Sequence, residues 1–151
     1  MEVKGREGFF KEENMKIIFL SGKKKCGKTP TLEMLYNKLS DVTGQKPKKM
    51  DIFGDNKDFC CVFNFKKKKV AIFTSGDSMS IIIDAVFLYS YVDCLIMAFN
   101  SDGIRKTELL NEVSNYKHNK HIKKTVCKKN ATKEDKNNAN SIDCKKIISA
   151  I

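Results

Sequence analysis

Lys16-Ile17-Ile18-Phe19-Leu20-Ser21-Gly22-Lys23-Lys24-Lys25-Cys26-Gly27-Lys28-Thr29 decides how the rest of the chain is read. Lys16 to Leu20 has the apolar run of a short buried strand, and Gly22 to Thr29 fits the spacing G-x-x-x-x-G-K-[ST]. From Thr31 to Leu39 the period changes, so that Leu32, Leu35, Tyr36 and Leu39 share one helical face. A strand, a glycine-rich turn and a helix are the setting this spacing needs. The backbone N–H groups of Gly22, Lys23, Lys24, Lys25, Cys26 and Gly27 can converge on a phosphate, and the helix N-terminus adds partial positive charge. Gly22 and Gly27 permit a close approach that a Cβ would block. Lys28 brings a point charge for the β- and γ-phosphates, and the Thr29 hydroxyl is placed to join a Mg²⁺ shell.

Composition sets the outer bounds. A chain of 151 residues has room for one domain that buries roughly two-thirds of its unfolded surface. Residues 1–14 lack periodicity and are expected to be a flexible extension, with the domain running from 15 to 151. No segment approaches the ~20 apolar residues of a membrane helix, and the charged start has no apolar signal-peptide stretch. The expectation is a cytoplasmic protein without a membrane partner. Cys60, Cys61 and Cys94 lie inside apolar strand patterns, and none of the six cysteines forms a C-x-x-C pair. Buried free thiols account for them better than disulfides or zinc, since His118 and His121 have no paired cysteines nearby. The formal net charge is +11, which implies nonspecific attraction to polyanions. The lysines are spread along the chain and no aromatic stacking motif accompanies them, so charge alone supports a nucleic-acid partner.

Further along, 40–58 reads as a linker with Gly44, Pro47 and Gly54 and with Asp51, Asp55 and Asp58 among its acidic residues, loosely held for want of any apolar pattern. Phe59 to Phe65 and Val70 to Thr74 read as strands. The four lysines between them are too few for a crossover helix, so the two strands form an antiparallel hairpin. Thr74 to Ser78 is a turn in which Asp77 or Ser78 caps a helix running to about Tyr89, apolar on most sides and expected to be well buried. Val92 to Phe99 is a continuous apolar strand, followed by a turn at Asn100 to Gly103 and a helix from about Arg105 to Tyr116. His121 to Cys127 is the last strand. Asn130 to Asn140 is polar and expected to be mobile, and Ser141 starts a final helix with Ile142, Ile147, Ile148 and Ile151 inward. This order predicts an α/β, three-layer domain with a mostly parallel five-stranded sheet and one antiparallel hairpin edge. Ligands in such sheets lie at the carboxyl ends of the strands, where the Gly22–Thr29 loop and the turns at 74–78 and 100–103 can meet.

On its glycine-rich octapeptide, and in pattern from Met15 onward, the chain resembles the P-loop NTPases. The resemblance implies binding of a nucleoside triphosphate with Mg²⁺, and an acidic residue beyond a second strand to hold the metal through water. Asp77 is the first choice and Asp102 the second. Gly76 is a candidate to offer its backbone N–H to a γ-phosphate. Phe73-Thr74-Ser75-Gly76 is similar to the Asp-x-x-Gly turn of small GTPases, with Phe73 where the aspartate stands there. No Asn-Lys-x-Asp motif is evident, which favours ATP over GTP. Lys23 occupies the place of the second lysine of ParA/MinD-like ATPases, which in that family reaches across a dimer; Lys24 and Lys25 replace the glycines that follow it there. A homodimer or a protein partner is therefore an open expectation. The function implied is slow Mg²⁺-dependent hydrolysis in a switch or small ATPase, with a small nucleotide or metabolite kinase as the alternative. Only Arg6 and Arg105 are present, which argues against a lid that clamps phosphates with bidentate arginines.

Overall fold

Ile17 and Phe19 face one side of a sheet, Ile18 and Leu20 face the other, and all four are fully buried. That two-residue alternation with both faces covered builds the molecule around its first strand. A computed structural model of the chain describes residues 15–54, 57–102 and 118–151. Its strands are β1 (Lys16–Gly22), β2 (Met50–Asp51), β3 (Phe59–Phe65), β4 (Lys68–Phe73), β5 (Cys94–Asn100) and β6 (His118–Lys123). The helices among the described residues are α1 (Lys28–Thr43), α2 (Met79–Leu88) and α3 (Lys133–Ala150).

The strands form one sheet in the order β2-β3-β4-β5-β1-β6. β4, β5, β1 and β6 run parallel, whereas β3 is antiparallel to β4 and β2 antiparallel to β3. The class is α/β, and the expected five-stranded, mostly parallel sheet is corrected to a six-stranded mixed one. The added strand is Met50–Asp51, two residues long and exposed, too short to leave a hydrophobic pattern. It turns back through Asp51, whose Oδ1 accepts from the N–H groups of Phe53 and Gly54. The expected hairpin is present, and its turn has only two residues. Lys66 and Lys67 both lie at positive φ, 50° and 65°.

Leu32, Leu35 and Leu39 of α1 pack with Cys144 and Ile147 of α3 on one face of the sheet, while Ile82, Ala85 and Val86 of α2 pack on the other. α1 is longer than its apolar stripe suggested: it begins at Lys28, and Gly44 ends it in the left-handed conformation with its N–H on Ser40 O. α2 is less buried than its composition suggested, since Ile83, Phe87 and Leu88 are exposed. The last strand is three residues earlier at its start than expected, at His118.

α3 differs most from expectation. It starts at Lys133, where Thr132 and Asp135 form a capping box, so the Asn-rich stretch expected to be mobile is its first two turns. That stretch is polar because it faces solvent until Ala139. The buried stripe is Ala139, Asn140, Asp143, Cys144 and Ile147, and Ile142 is exposed. The segment after α1 is likewise tied down. The Gln45 side chain exchanges two hydrogen bonds with the Asn64 backbone, Tyr36 Oη donates to Pro47 O, and Lys49 lies over the Tyr36 and Phe59 rings. All six cysteines are free. No helix among the described residues is long and apolar enough to cross a membrane. The expected extension at 1–14 and the expected helix from Arg105 to Tyr116 lie outside the described residues.

Candidate functional site

Because β1, β4 and β5 are parallel, they end at one edge of the sheet; because β3 is antiparallel, it begins there. A small cleft opens at that edge, with a volume of about 120 Å³, below the roughly 300–1,000 Å³ of drug-sized sites. Lys24, Lys25, Gly27, Lys28, Thr29 and Pro30 line one wall. Asp58, Thr74, Ser75 and Asp77 line the other, and Ala98 forms the floor.

The first wall is local in sequence. Gly27 is left-handed (φ 101°) and directly precedes α1, a conformation strained for any residue with a Cβ. No side chain caps α1 and no acidic residue sits in its first turn, so the positive end of its dipole faces the cleft uncompensated. Pro30, within the first turn, removes no helical hydrogen bond. Lys28 is buried, and its Nζ donates to Gly22 O (2.8 Å) and Lys23 O (2.7 Å), drawing the ammonium across the loop. Cys26 turns inward: a Cβ on Gly22 would lie 2.5 Å from Cys26 Sγ.

Behind this loop lies a polar support absent from the expectations. Lys124, directly after β6, donates from its backbone N–H to Ser21 O and from Nζ to Asp143 Oδ2 at 2.8 Å. The two side chains are 2% and 0% exposed. Thr125 adds a backbone and a hydroxyl hydrogen bond to the same carboxylate. The lysine stem lies against both loop glycines, its Cβ 3.2 Å from a Cβ built on Gly22 and its Cε 3.5 Å from one built on Gly27. Thr31 Oγ1 lies 2.8 Å from Gly27 O and 2.9 Å from Asn140 Oδ1 of α3, so its single proton is shared between the two acceptors. The signal for this support was available: a lysine inside a strand pattern and an aspartate inside a helix stripe are each costly unless paired.

The second wall comes from two chain segments. Phe59 N–H donates to Thr74 Oγ1, Thr74 Oγ1–H donates to Asp58 Oδ1 at 2.8 Å, and Thr74 N–H donates to Phe59 O. Ser75 is 3% exposed, and its hydroxyl has no hydrogen-bond partner among the described residues. Ser78, not Asp77, caps α2 by accepting from Ile81 N–H, so Asp77 is spared that task and stands exposed at the mouth.

The candidates therefore separate. Lys24, Lys25, Gly27, Lys28, Thr29 and Asp77 meet at the cleft; Gly22, Lys23, Cys26, Gly76 and Asp102 do not line it. Gly76 is packed backbone to backbone, since a Cβ there would lie 1.7 Å from Ala98 O, and its carbonyl accepts from Asn100 N–H. Asp102 braces the outside of the loop by accepting from Lys24 N–H. β4 does not neighbour β1; β5 lies between them, and Asp77 reaches the cleft because the turn after β4 crosses the end of β5 at Gly76. Asp58 was read as linker and belongs to the site.

The second wall offers oxygen donors only, two carboxylates and two hydroxyls, which suits a hard cation such as Mg²⁺ better than zinc. No cluster of three His, Cys, Asp or Glu that could hold a metal occurs among the described residues. Comparison of the chain with protein-family models, with curated proteins and with solved structures returns no match.

Proposed function

We propose that the chain binds a nucleoside triphosphate with Mg²⁺, ATP rather than GTP, and hydrolyses it slowly as a switch or small ATPase. The observation that carries this reading is the juxtaposition of an uncapped helix start, preceded by a left-handed glycine and carrying Lys28, with an oxygen-lined wall across a shared cleft. The first wall suits an anion. The second suits the cation that travels with it. Lys28 Nζ would exchange its two carbonyl partners for phosphate oxygens, and Thr29 and an acidic residue opposite would hold Mg²⁺. Mg²⁺ would supply charge neutralisation between phosphates; the chain's own groups supply orientation and exclusion of water.

Calorimetry with a non-hydrolysable ATP analogue and Mg²⁺ tests the reading. Lys28→Ala is expected to weaken binding at least tenfold, because a charge-assisted phosphate contact contributes about 1.5–3 kcal/mol. Equal affinity in the two proteins would refute a phosphate site at this loop. Phosphate release measured with and without small hydroxyl acceptors separates hydrolysis from phosphoryl transfer to a second substrate.

A further inference from the structure

Ser75 poses a chemical problem. A hydroxyl shielded from water with no hydrogen-bond partner destabilises the fold that contains it. This one belongs to a residue that lines the cleft, opposite Lys28 and Thr29. Its neighbour across the hairpin, Asp58, is half-buried and held by one oxygen only: Oδ1 accepts from Thr74 Oγ1, and Oδ2 accepts no hydrogen bond among the described residues. Thr74 is fixed in turn by Phe59 N–H, so the carboxylate is oriented before any ligand arrives. Asp77, the other carboxylate of this wall, is exposed and makes no comparable contact among the described residues.

We infer that Ser75 and Asp58 are the ligand-binding arm of the second wall: the Ser75 side chain turns into the cleft to donate its hydroxyl to an outer phosphate oxygen, and Asp58, rather than Asp77, carries the divalent cation. The ligand class is a nucleoside polyphosphate with its Mg²⁺, so the assignment rests on the function proposed above. It adds that the cation-binding carboxylate enters from the start of an antiparallel strand. Asp58 sits beside Ser75 because β3 pairs with β4 in the register Cys60 opposite Phe73, which sets residue 58 across from 75. One hydroxyl and one carboxylate on adjacent strand ends can then grip a phosphate and its metal together. Binding would give the Ser75 hydroxyl the partner that the protein alone withholds.

The test uses the full chain, a non-hydrolysable ATP analogue, and titrations in Mg²⁺ and in excess EDTA. Asp58→Asn keeps an acceptor for Thr74, so the fold is retained, and it should lose most of the Mg²⁺-dependent gain in affinity while binding in EDTA stays within twofold of wild type. Asp77→Asn should keep that gain. Ser75→Ala should weaken analogue binding about tenfold while Tm stays level or rises, since the exchange removes a polar atom that the fold does not satisfy. Rising stability with falling affinity separates a ligand contact from a structural one. The assignment fails if Asp58→Asn retains the full Mg²⁺ gain, if Asp77→Asn alone abolishes it, or if Ser75→Ala lowers Tm without affecting affinity. Wild-type protein that binds no analogue in either condition would overturn the nucleotide reading as well, whereas normal wild-type binding with an unaffected Asp58→Asn overturns this assignment alone.

Discussion

The two walls of the cleft are built in opposite ways. The loop wall is one unbroken stretch, Lys24 to Pro30, with its shape held from behind by Lys124, Asp143 and Asn140. The hairpin wall joins two chain segments sixteen and more positions apart, Asp58 and the stretch from Thr74, and is held by strand pairing, by the Thr74 hydroxyl between Phe59 N–H and Asp58, and by one glycine pressed on the floor. A contiguous wall carries its chemistry in its own spacing but borrows its rigidity. A discontinuous wall is rigid by virtue of the sheet, and its chemistry emerges only once strand direction is known.

The largest expected effect attacks the borrowed rigidity. Asp143→Ala removes the carboxylate from the buried Lys124 and leaves its Nζ only the Thr125 carbonyl, and removal of one partner from a buried pair costs about 3–5 kcal/mol. Denaturant unfolding should show that loss, and the paired exchange Lys124→Met with Asp143→Leu should recover much of it. A loss below about 1 kcal/mol, the range of exposed pairs, would mean the loop wall supports itself.

Next is a contrast between glycines. Gly76→Ala forces backbone from the Ala98 carbonyl and should destabilise by about 1–3 kcal/mol, the range of overpacked cores, or more. Gly22→Ala meets chiefly the end of the Cys26 side chain, which can rotate away, so it should cost less and be partly rescued by Cys26→Ala. Equal thermal shifts in both variants would erase the distinction between a glycine dictated by the sheet and one dictated by a movable neighbour.

pH affects both walls in the same direction. Burial pushes the thiols of Cys61 under the hairpin and Cys94 at the sheet centre up to about 12, and that of Cys144 behind the loop up to about 11. These thiols bind their protons more tightly when folded. Their contribution to stability is complete below the unfolded thiol range and is lost as pH rises from about 9, their ordinary value, toward those folded values. Urea midpoints measured from pH 8 to 11 should fall, and Cys61→Ala and Cys144→Ala should each flatten the decline relative to their own neutral-pH stability. A midpoint that rises over this interval would contradict the sign.

The smallest effect is kinetic. Cys26 and Cys127 are half-buried, while Cys60, Cys61, Cys94 and Cys144 are buried. A chromogenic disulfide reagent should therefore label two thiols quickly and four only on unfolding. Early reaction of Cys60 or Cys61 would show the hairpin wall opening more readily than its strand pairing implies.

How much of this was legible follows from the same contrast. The loop, β1, the apolar face of α1 and the β3–β4 hairpin could be read from short-range patterns, and the structure has them. Asp58 escapes a reading confined to residues that follow strands, because an antiparallel hairpin brings the residue before its first strand to the edge where its second strand ends. β2 was missed because two residues carry no period. The start of α3 was missed because a polar run facing solvent has the same composition as a loop; Thr132 and Asp135 were the legible sign. Lys124 and Asp143 could each be noticed singly, but nothing local links residues nineteen positions apart on a strand end and a helix.

The turn at Lys66 and Lys67 has a consequence for the order in which the chain acquires its shape. Both residues are held in a left-handed conformation that costs an L-residue roughly 1–2 kcal/mol, where tight hairpins ordinarily use Asn-Gly, and four adjacent ammonium groups repel one another. Such a hairpin is a poor nucleus. Its closure is therefore expected to follow, rather than seed, the pairing of β1, β5 and β4, so that the acidic wall takes shape after the basic loop.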